Sequence, residues 1–487
     1  MNPSSLRLRL LAVALTAATT LNAHAAVDLI AIGSISGAYE DLSNQTAAPL
    51  ENGVAGNRLG GIGSGLAYAG GDIFLGLPDR GPNATPFDSN IIDDTVSYID
   101  RFHTLNLSLA PNPDYPGEPG SLPFVLTPTL RDTTLLSSVT PLVYGTGAGL
   151  GNKIDGITPI GSGEPGLNKR FVHYFTGRSD NFDPTKPSTN PNNARLDPES
   201  IRVSNDGLSV FISDEYGPYV YQFNRITGQR IRSFKLPDNL AITALSSQKD
   251  VEIASNTIGR VTNKGMEGLA ITPDGKTLVG IMQANLEQDK KGSLRIVTID
   301  IKSGATHEYA YKLTDGSGVS EIVAVNNHQF LVDERDGNGM ADTPATPSAA
   351  LVKELFLIDL NGAQDVTNVT GPKADLSSYA VSKVLFLDIV AKLTAAPANI
   401  NPLLIPSKIE GVAFGQDVVI NGVTKHTLYV TNDNDFLATI ANPLAPASGN
   451  VANPNQFYVF AFDDQDLQGY VPQPVKPRTL LECGFNL

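Results

Sequence analysis

The residues in this chain best suited to chemistry are carboxylates that recur at the ends of short strand-like runs. In LDPESIRVSNDGLSVFISDEYGPYVYQF, from Leu196 to Phe223, two apolar, β-branched runs flank Asn205-Asp206-Gly207, whose turn chemistry supplies positive φ at low steric cost. Such a pair of runs is a hairpin, and residues equidistant from its turn lie side by side. The midpoint between Glu199 and Asp214 falls on this turn, so Glu199, Asp214 and Glu215 are expected to gather at one end of the strand pair. Oxygens converging in this way are the hard donors that Ca²⁺ takes, about six to eight at a time. Carboxylates crowded together repel unless a cation or protons compensate them.

The construction repeats. Glu267-Gly268-Leu269-Ala270 runs through Pro273-Asp274-Gly275 and returns to Gln283, and Glu410-Gly411-Val412-Ala413 turns near Asn421-Gly422 and returns to Asn432, Asp433, Asn434 and Asp435. Ser64-Gly65-Leu66-Ala67 returns through Gly70-Gly71 to Asp79-Arg80, and Ser320-Glu321-Ile322 returns through Asn326-Asn327 to Asp333, Glu334, Arg335 and Asp336. A sixth, weaker copy runs from Asp155-Gly156-Ile157 past Gly166 to Gly177-Arg178-Ser179-Asp180. Units of this kind cannot bury their apolar faces alone, so they stack, and four-stranded units that close radially make a β-propeller. The sequence therefore predicts an all-β chain, a β-propeller of six blades, with five blades plus a large insertion at about 136–195 as the competing count. The last unit shows three strands, IEGVAF, TLYVTND and QFYVFAF, and the run VDLIAIGSI from Val27 is expected to complete it. If every unit opens its innermost strand with its motif, the carboxylates ring one mouth of the central channel.

Composition bounds the remainder. Residues 1–25 read as a secretory signal, with Arg7 and Arg9 before an apolar core and Ala23-His24-Ala25 as a small-residue cleavage site. The apolar run is too short to span a bilayer, so the expectation is a periplasmic or secreted protein without a membrane span. Residues 26–59 carry the closing strand, 60–470 the propeller and 471–487 a C-terminal tail. A single cysteine, Cys483, excludes an intramolecular disulfide. The net charge of −15 argues against nucleic acid as a partner, and an anionic substrate would need a bound cation or local Arg side chains to reverse the sign.

Six ordered motifs, LDPESI, SDEYGP, GMEGLAITPDG, DERDGNG, KIEGVAF and TNDNDF, lie between about Gly60 and Phe436. Together they resemble the phytase-like β-propeller proteins, also described as having esterase-like activity of phytase. The resemblance implies a propeller fold, an exported protein and hydrolysis of phosphate or carboxylic esters. Ser200 stands where that family usually has Gly.

The residues themselves favour metal-assisted hydrolysis. Glu199, Asp214, Glu267, Glu410 and Asp433 are the expected Ca²⁺ ligands, with Glu215 or Glu334 as general base and Glu267 at the catalytic centre. Arg80 and Arg335 either clamp phosphate oxygens bidentately or neutralise Asp79 and Asp333. The Asp336-Gly337-Asn338 loop lacks a full EF-hand pattern and reads as a turn. The five histidines after residue 25 form no HExxH cluster, and no G-x-S-x-G elbow marks a nucleophile. Ser64 reads as a small residue at a tight turn. A small-molecule ester or phosphoester is the expected partner and a monomer the expected state. A non-catalytic calcium- or ligand-binding propeller and a lactonase-type or carboxylesterase-type calcium propeller use the same residues. Basic groups beside the ring would favour a phosphate, and an apolar mouth a lactone or neutral ester.

Overall fold

The computed structural model describes residues 27–84, 94–341 and 347–477. Five antiparallel sheets, each with four strands side by side, form a β-propeller, and Val418–Ile420 adds a short fifth strand to the last of them. Blade I comprises Gly65–Tyr68, Ile73–Leu77, Arg101–Pro111 and Phe124–Leu135. Blade II comprises Pro198–Val203, Ser209–Asp214, Tyr219–Asn224 and Arg230–Lys235, and blade III Met266–Ile271, Thr277–Met282, Ser293–Asp300 and Thr306–Lys312. Blade IV comprises Gly318–Ala324, Gln329–Arg335, Lys353–Asp359 and Lys383–Asp388. In blade V, Ile409–Phe414, Val423–Asn432 and Asn455–Phe462 are followed outward by Asp28–Ile35, which pairs antiparallel with Asn455–Phe462.

The first strand of each blade lies against the first strands of its two neighbours, and this ring of contacts closes between blades V and I. Apolar side chains on both faces of the strands make that arrangement favourable, because each inter-blade seam is a separate core. Leu75 and Phe102 meet Ile201 and Ile212 between blades I and II, Phe211 and Val220 meet Leu269 and Leu278 between II and III, and Ala413 and Tyr429 meet Leu66 and Phe74 between V and I.

Six blades were expected and five are observed. The segment from Leu136 to Arg195 builds only the two-residue pair Ser137–Ser138 with His173–Tyr174. Its apolar residues are too sparse to cover two blade faces, and Ile157, in the first run of the supposed sixth hairpin, is 82% exposed. The segment instead packs against blades I and II through Leu136, Leu142 and Phe175 and brings Ser179 and Arg195 close to Arg80 at the channel mouth.

Close approach of the inner strands explains the glycines of the repeat. A Cβ at Gly268 would stand 2.8 Å from Ile322 N, and one at Gly411 2.9 Å from Gly63 O. Blades II and IV depart from glycine here, and the departures compensate one another. The Ser200 hydroxyl reaches both carboxylate oxygens of Glu321 at 2.9 Å. Glu321 also accepts from Leu269 N and Ile322 N and pairs with Arg202 at 2.9 Å. Arg202 donates to the carbonyls of Leu66, Ile201, Ile322 and Val412, on blades I, II, IV and V. This buried pair plugs the channel. Beyond it, the chain from Tyr470 to Lys476 crosses the opposite end, where Val471 N donates to Val325 O, Gln473 to Val203 O and Lys476 N to Asn205 O.

Residues 1–26, which hold the expected signal, and Cys483 lie outside the described residues. Among the described residues no helix is long and apolar enough to cross a membrane.

Candidate functional site

An open cavity of about 1030 Å³ occupies the end of the channel where the inner strands begin. Its wall includes Glu199, Glu267 and Glu410, contributed by blades II, III and V, together with Asp79, Arg80, Glu215, Arg335 and Asp433 from the returning strands and turns. A register shift opens the first hairpin of blades II to V, between Pro198 and Ile201, Met266 and Gly268, Val319 and Glu321, and Ile409 and Val412. Such an extra residue breaks the pleat and re-aims a side chain. In blades II, III and V the residue inside the bulge is the glutamate that faces the cavity.

The tightest acidic group was only half expected. Carboxylate oxygens of Asp197, Glu199 and Glu215 lie within 4.8 Å of one another, and all three residues are buried. Asp197 was not singled out from the sequence, although a signal existed. It stands two residues before Glu199, as Lys408 stands two before Glu410; Lys408 lines the cavity, whereas Asp197 lies fully buried beside Glu199 and Glu215. Arg80 holds Asp197 through Nη1 at 3.1 Å and through its backbone N–H at 3.2 Å, while Nη1 also donates to Asn263 and Nη2 to Asn83. Arg80 thus neutralises Asp197, where Asp79 was expected.

Glu215 accepts from Gly265 N at 2.9 Å, and Glu267 accepts from Gln283 Nε2 at 2.7 Å. The second oxygen of each is buried and finds no donor among the described residues. Burial, followed by the charges of Glu267, Asp197 and Glu215, pushes Glu199 well above the usual carboxylate range. Glu215 is raised by burial and then by Asp197 and Glu267. Glu267 is pushed to about 8 by burial and the nearby Glu410, against the opposing pull of Arg335. Three carboxylates held this close without enough positive charge are a site for a hard divalent cation or for protons.

The far side of the cavity is different, because its acids already have cations. Arg335 pairs with Glu410 at 2.6 Å, where Asp333 was expected, and Lys408 pairs with Asp433 at 2.7 Å and Asp435 at 2.5 Å. The TNDNDF motif builds this wall. Asn434 accepts from Gly61 N and donates to Asn453 O, and Asp435 and Phe436 take positive φ.

Two expected site residues lie off the cavity wall. The Asp214 carboxylate collects the backbone N–H groups of Asp197, Tyr216 and Gly217, which makes it a local scaffold. Glu334 is buried against Tyr311 OH at 2.5 Å and Lys383. In the Asp336 loop, Lys353 and the Leu351 and Val352 N–H groups occupy the carboxylate, so the turn satisfies itself. Ser64 is buried and donates to Gly61 O.

Five cations stand in the cavity wall, Arg80, Lys249, Lys264, Arg335 and Lys408, and Val319 is its one aliphatic residue among the described residues. Lys249 and Lys264 are exposed at the rim, and neither forms an ion pair among the described residues.

A family model described as Phytase-like, esterase-like activity of phytase, matches residues 57–436. An uncharacterized secreted protein of Arthroderma benhamiae is 27% identical over 483 residues, covering 88% of this chain and 86% of its own. Among solved structures, a gluconolactonase of Xanthomonas campestris aligns with 90% of this chain and 96% of its own at 12% identity and a TM-score of 0.29. Hydrazine synthase of Kuenenia stuttgartiensis aligns with 77% and 78% at 11% identity and a TM-score of 0.28. Scores this low carry no inference about activity.

Proposed function

Since the chain belongs to the phytase-like family, described by esterase-like activity of phytase, we propose that it is an exported hydrolase of phosphate esters assisted by Ca²⁺ at the acidic channel mouth. The observation that carries this reading is the buried Asp197, Glu199 and Glu215 cluster beside a rim with exposed lysines. The donor set fits the ion. All its members are carboxylates, and buried oxygens of Glu215 and Glu267 find no donor among the described residues. Asp197, Glu199 and Glu215 would hold the metal, with Glu267 beside them. Glu410 and Asp433, paired with Arg335 and Lys408, shape the opposite wall. When bound, Ca²⁺ would supply Lewis-acid polarisation of a phosphoryl oxygen and acidify water.

The chain's own groups then divide the remaining work. Glu267, fixed through one oxygen by Gln283, is the carboxyl placed to move the proton of the attacking water. Lys249 and Lys264 attract the substrate's charge at the rim, and Arg335, already oriented by Glu410 and by Ser320 Oγ at 2.5 Å, presents its guanidinium to phosphate oxygens. A neutral ester or lactone would gain little from a mouth this charged and this poor in apolar surface.

The test is an assay of the purified protein against a phosphomonoester, phytate and a panel of lactones, with and without Ca²⁺. Phosphate release that a chelator abolishes and Ca²⁺ restores is the expected result. Lactone opening without phosphate release would overturn the assignment, and so would inactivity on every substrate in the presence of Ca²⁺.

A further inference from the structure

Away from the mouth, an open groove of about 950 Å³ runs along the outer flank between blades I and II. One side is residues 132–135, at the end of Phe124–Leu135, and the other is the turn that joins Tyr219–Asn224 to Arg230–Lys235. The 136–195 insertion adds the paired Ser137 and Tyr174 together with Lys169 and Val172, and Gln45 comes from the chain ahead of blade I. None of these residues belongs to the mouth.

Phe171 stands at the edge of the groove on a strained backbone. Lys169 and Val172, which both line the groove, exchange backbone hydrogen bonds at 3.0 and 2.9 Å across a tight turn, and Phe171 within that turn takes a φ of 65°. Glycine adopts such a backbone freely, whereas a bulky residue does so at a cost. Burial does not repay that cost, because 57% of Phe171 is exposed. Its setting is nonetheless fixed. The Arg170 guanidinium lies 4.7 Å from the ring centroid, and Gln229 Nε2 donates to Phe171 O at 3.2 Å. Backbone strain concentrates where a side chain must meet a ligand, and a ring held out to solvent offers a flat apolar face.

The wall of the groove is polar and balanced in charge. Asp132 and Lys169 are its charged residues among those described, so it favours neither a polyanion nor a polycation. Its other hydrogen-bonding side chains are amides and hydroxyls, which donate and accept at once. The Gln45 carboxamide and the Tyr174 hydroxyl have no hydrogen-bond partner among the described residues. A sugar ring answers both features, with a C–H face that packs on an aromatic ring and a fringe of neutral hydroxyls for the amides.

We propose that this groove is a carbohydrate-binding site for a neutral oligosaccharide, with one sugar packed on Phe171 and its neighbours' hydroxyls held by Gln45, Tyr174 and Gln229. Glycoside cleavage takes two carboxyl groups, and Asp132 is the one in this wall among the described residues, so the site holds the sugar chain without cutting it. Because the groove shares no residue with the mouth, sugar binding and the hydrolase reading stand or fall separately.

Calorimetric titration of the purified protein with cellopentaose, laminaripentaose, maltopentaose and chitopentaose tests the site, with oligogalacturonate as the anionic control. One of the neutral sugars should bind, and oligogalacturonate about tenfold more weakly or not at all. Phe171→Gly removes the ring and relieves the positive φ, so it should leave the fold intact and weaken sugar binding about tenfold. Gln45→Ala, at an exposed position, should weaken it about threefold. Both variants should release phosphate at the mouth as the parent protein does. Failure of every neutral sugar to bind the parent protein, equal binding by the parent and either variant, or a preference for oligogalacturonate would overturn the site.

Discussion

Glu321→Leu should destabilise the protein by about 3–5 kcal/mol, the cost of breaking a buried ion pair from one side. Glu321 is fully buried in the channel and answers the charge of Arg202 while accepting from Ser200, Leu269 N and Ile322 N. Removing it leaves the Arg202 guanidinium with backbone carbonyls only, on four blades at once. Adding Arg202→Met to the same chain should recover much of the loss, because two apolar side chains replace a broken pair. Urea unfolding followed by tyrosine fluorescence measures both, since the chain has no tryptophan. A single variant within 1 kcal/mol of the parent protein would mean that the plug does not fasten the blades together.

Glu267→Gln should leave a folded protein whose turnover is lower by about 10²–10⁴-fold, the usual contribution of a positioned acid or base. The same substitution should change how stability depends on pH. Glu267 titrates near 8 in the folded protein against 4.5 for an ordinary glutamate, so over that interval the folded state holds more protons than the unfolded one. Its contribution is therefore fully present below about pH 4.5, declines as pH rises and is lost above about 8. Glu199 and Glu215 are raised for the same reasons and act in the same direction. Metal-free protein should accordingly melt at progressively lower temperature from pH 5 to pH 8, and Glu267→Gln, which cannot ionise, should show a shallower decline. A full-activity variant, or identical slopes for the two proteins, would remove Glu267 from the site.

Much of this was legible in the chain because hairpin geometry is a local property. Asn205-Asp206-Gly207 and Pro273-Asp274-Gly275 announce their turns, and the residues flanking them pair accordingly. The bulges were not legible, since no residue type marks the extra position that turns Glu199 and Glu267 into the cavity. Glu334 shows the cost of reading by analogy with Glu215. Glu215 lies just past the end of its strand, whereas Glu334 lies within Gln329–Arg335, where alternation of side chains between faces sends it to Tyr311 and Lys383. The blade count failed where tertiary packing decides. Residues 136–195 contain turn signals but too little apolar surface to stand between two blades. Lys408 and Asp197 were hidden for another reason. A residue two places before the motif carries opposite charges in blades V and II, so only superposing the repeats shows that the position belongs beside the ring of glutamates.

The central claim is that the buried carboxylates of blade II hold a divalent cation, and calorimetric titration of Ca²⁺ into chelator-treated protein at pH 7 tests it most directly. The account predicts one ion bound per chain with release of protons, because burial and the neighbouring Glu267 and Asp197 raise both Glu199 and Glu215 and a bound cation takes carboxylates deprotonated, and a higher melting temperature once the ion is bound. Glu199→Gln combined with Glu215→Gln should abolish uptake while the propeller stays folded. Absence of Ca²⁺ uptake by the parent protein, or undiminished uptake by that double variant, would contradict it.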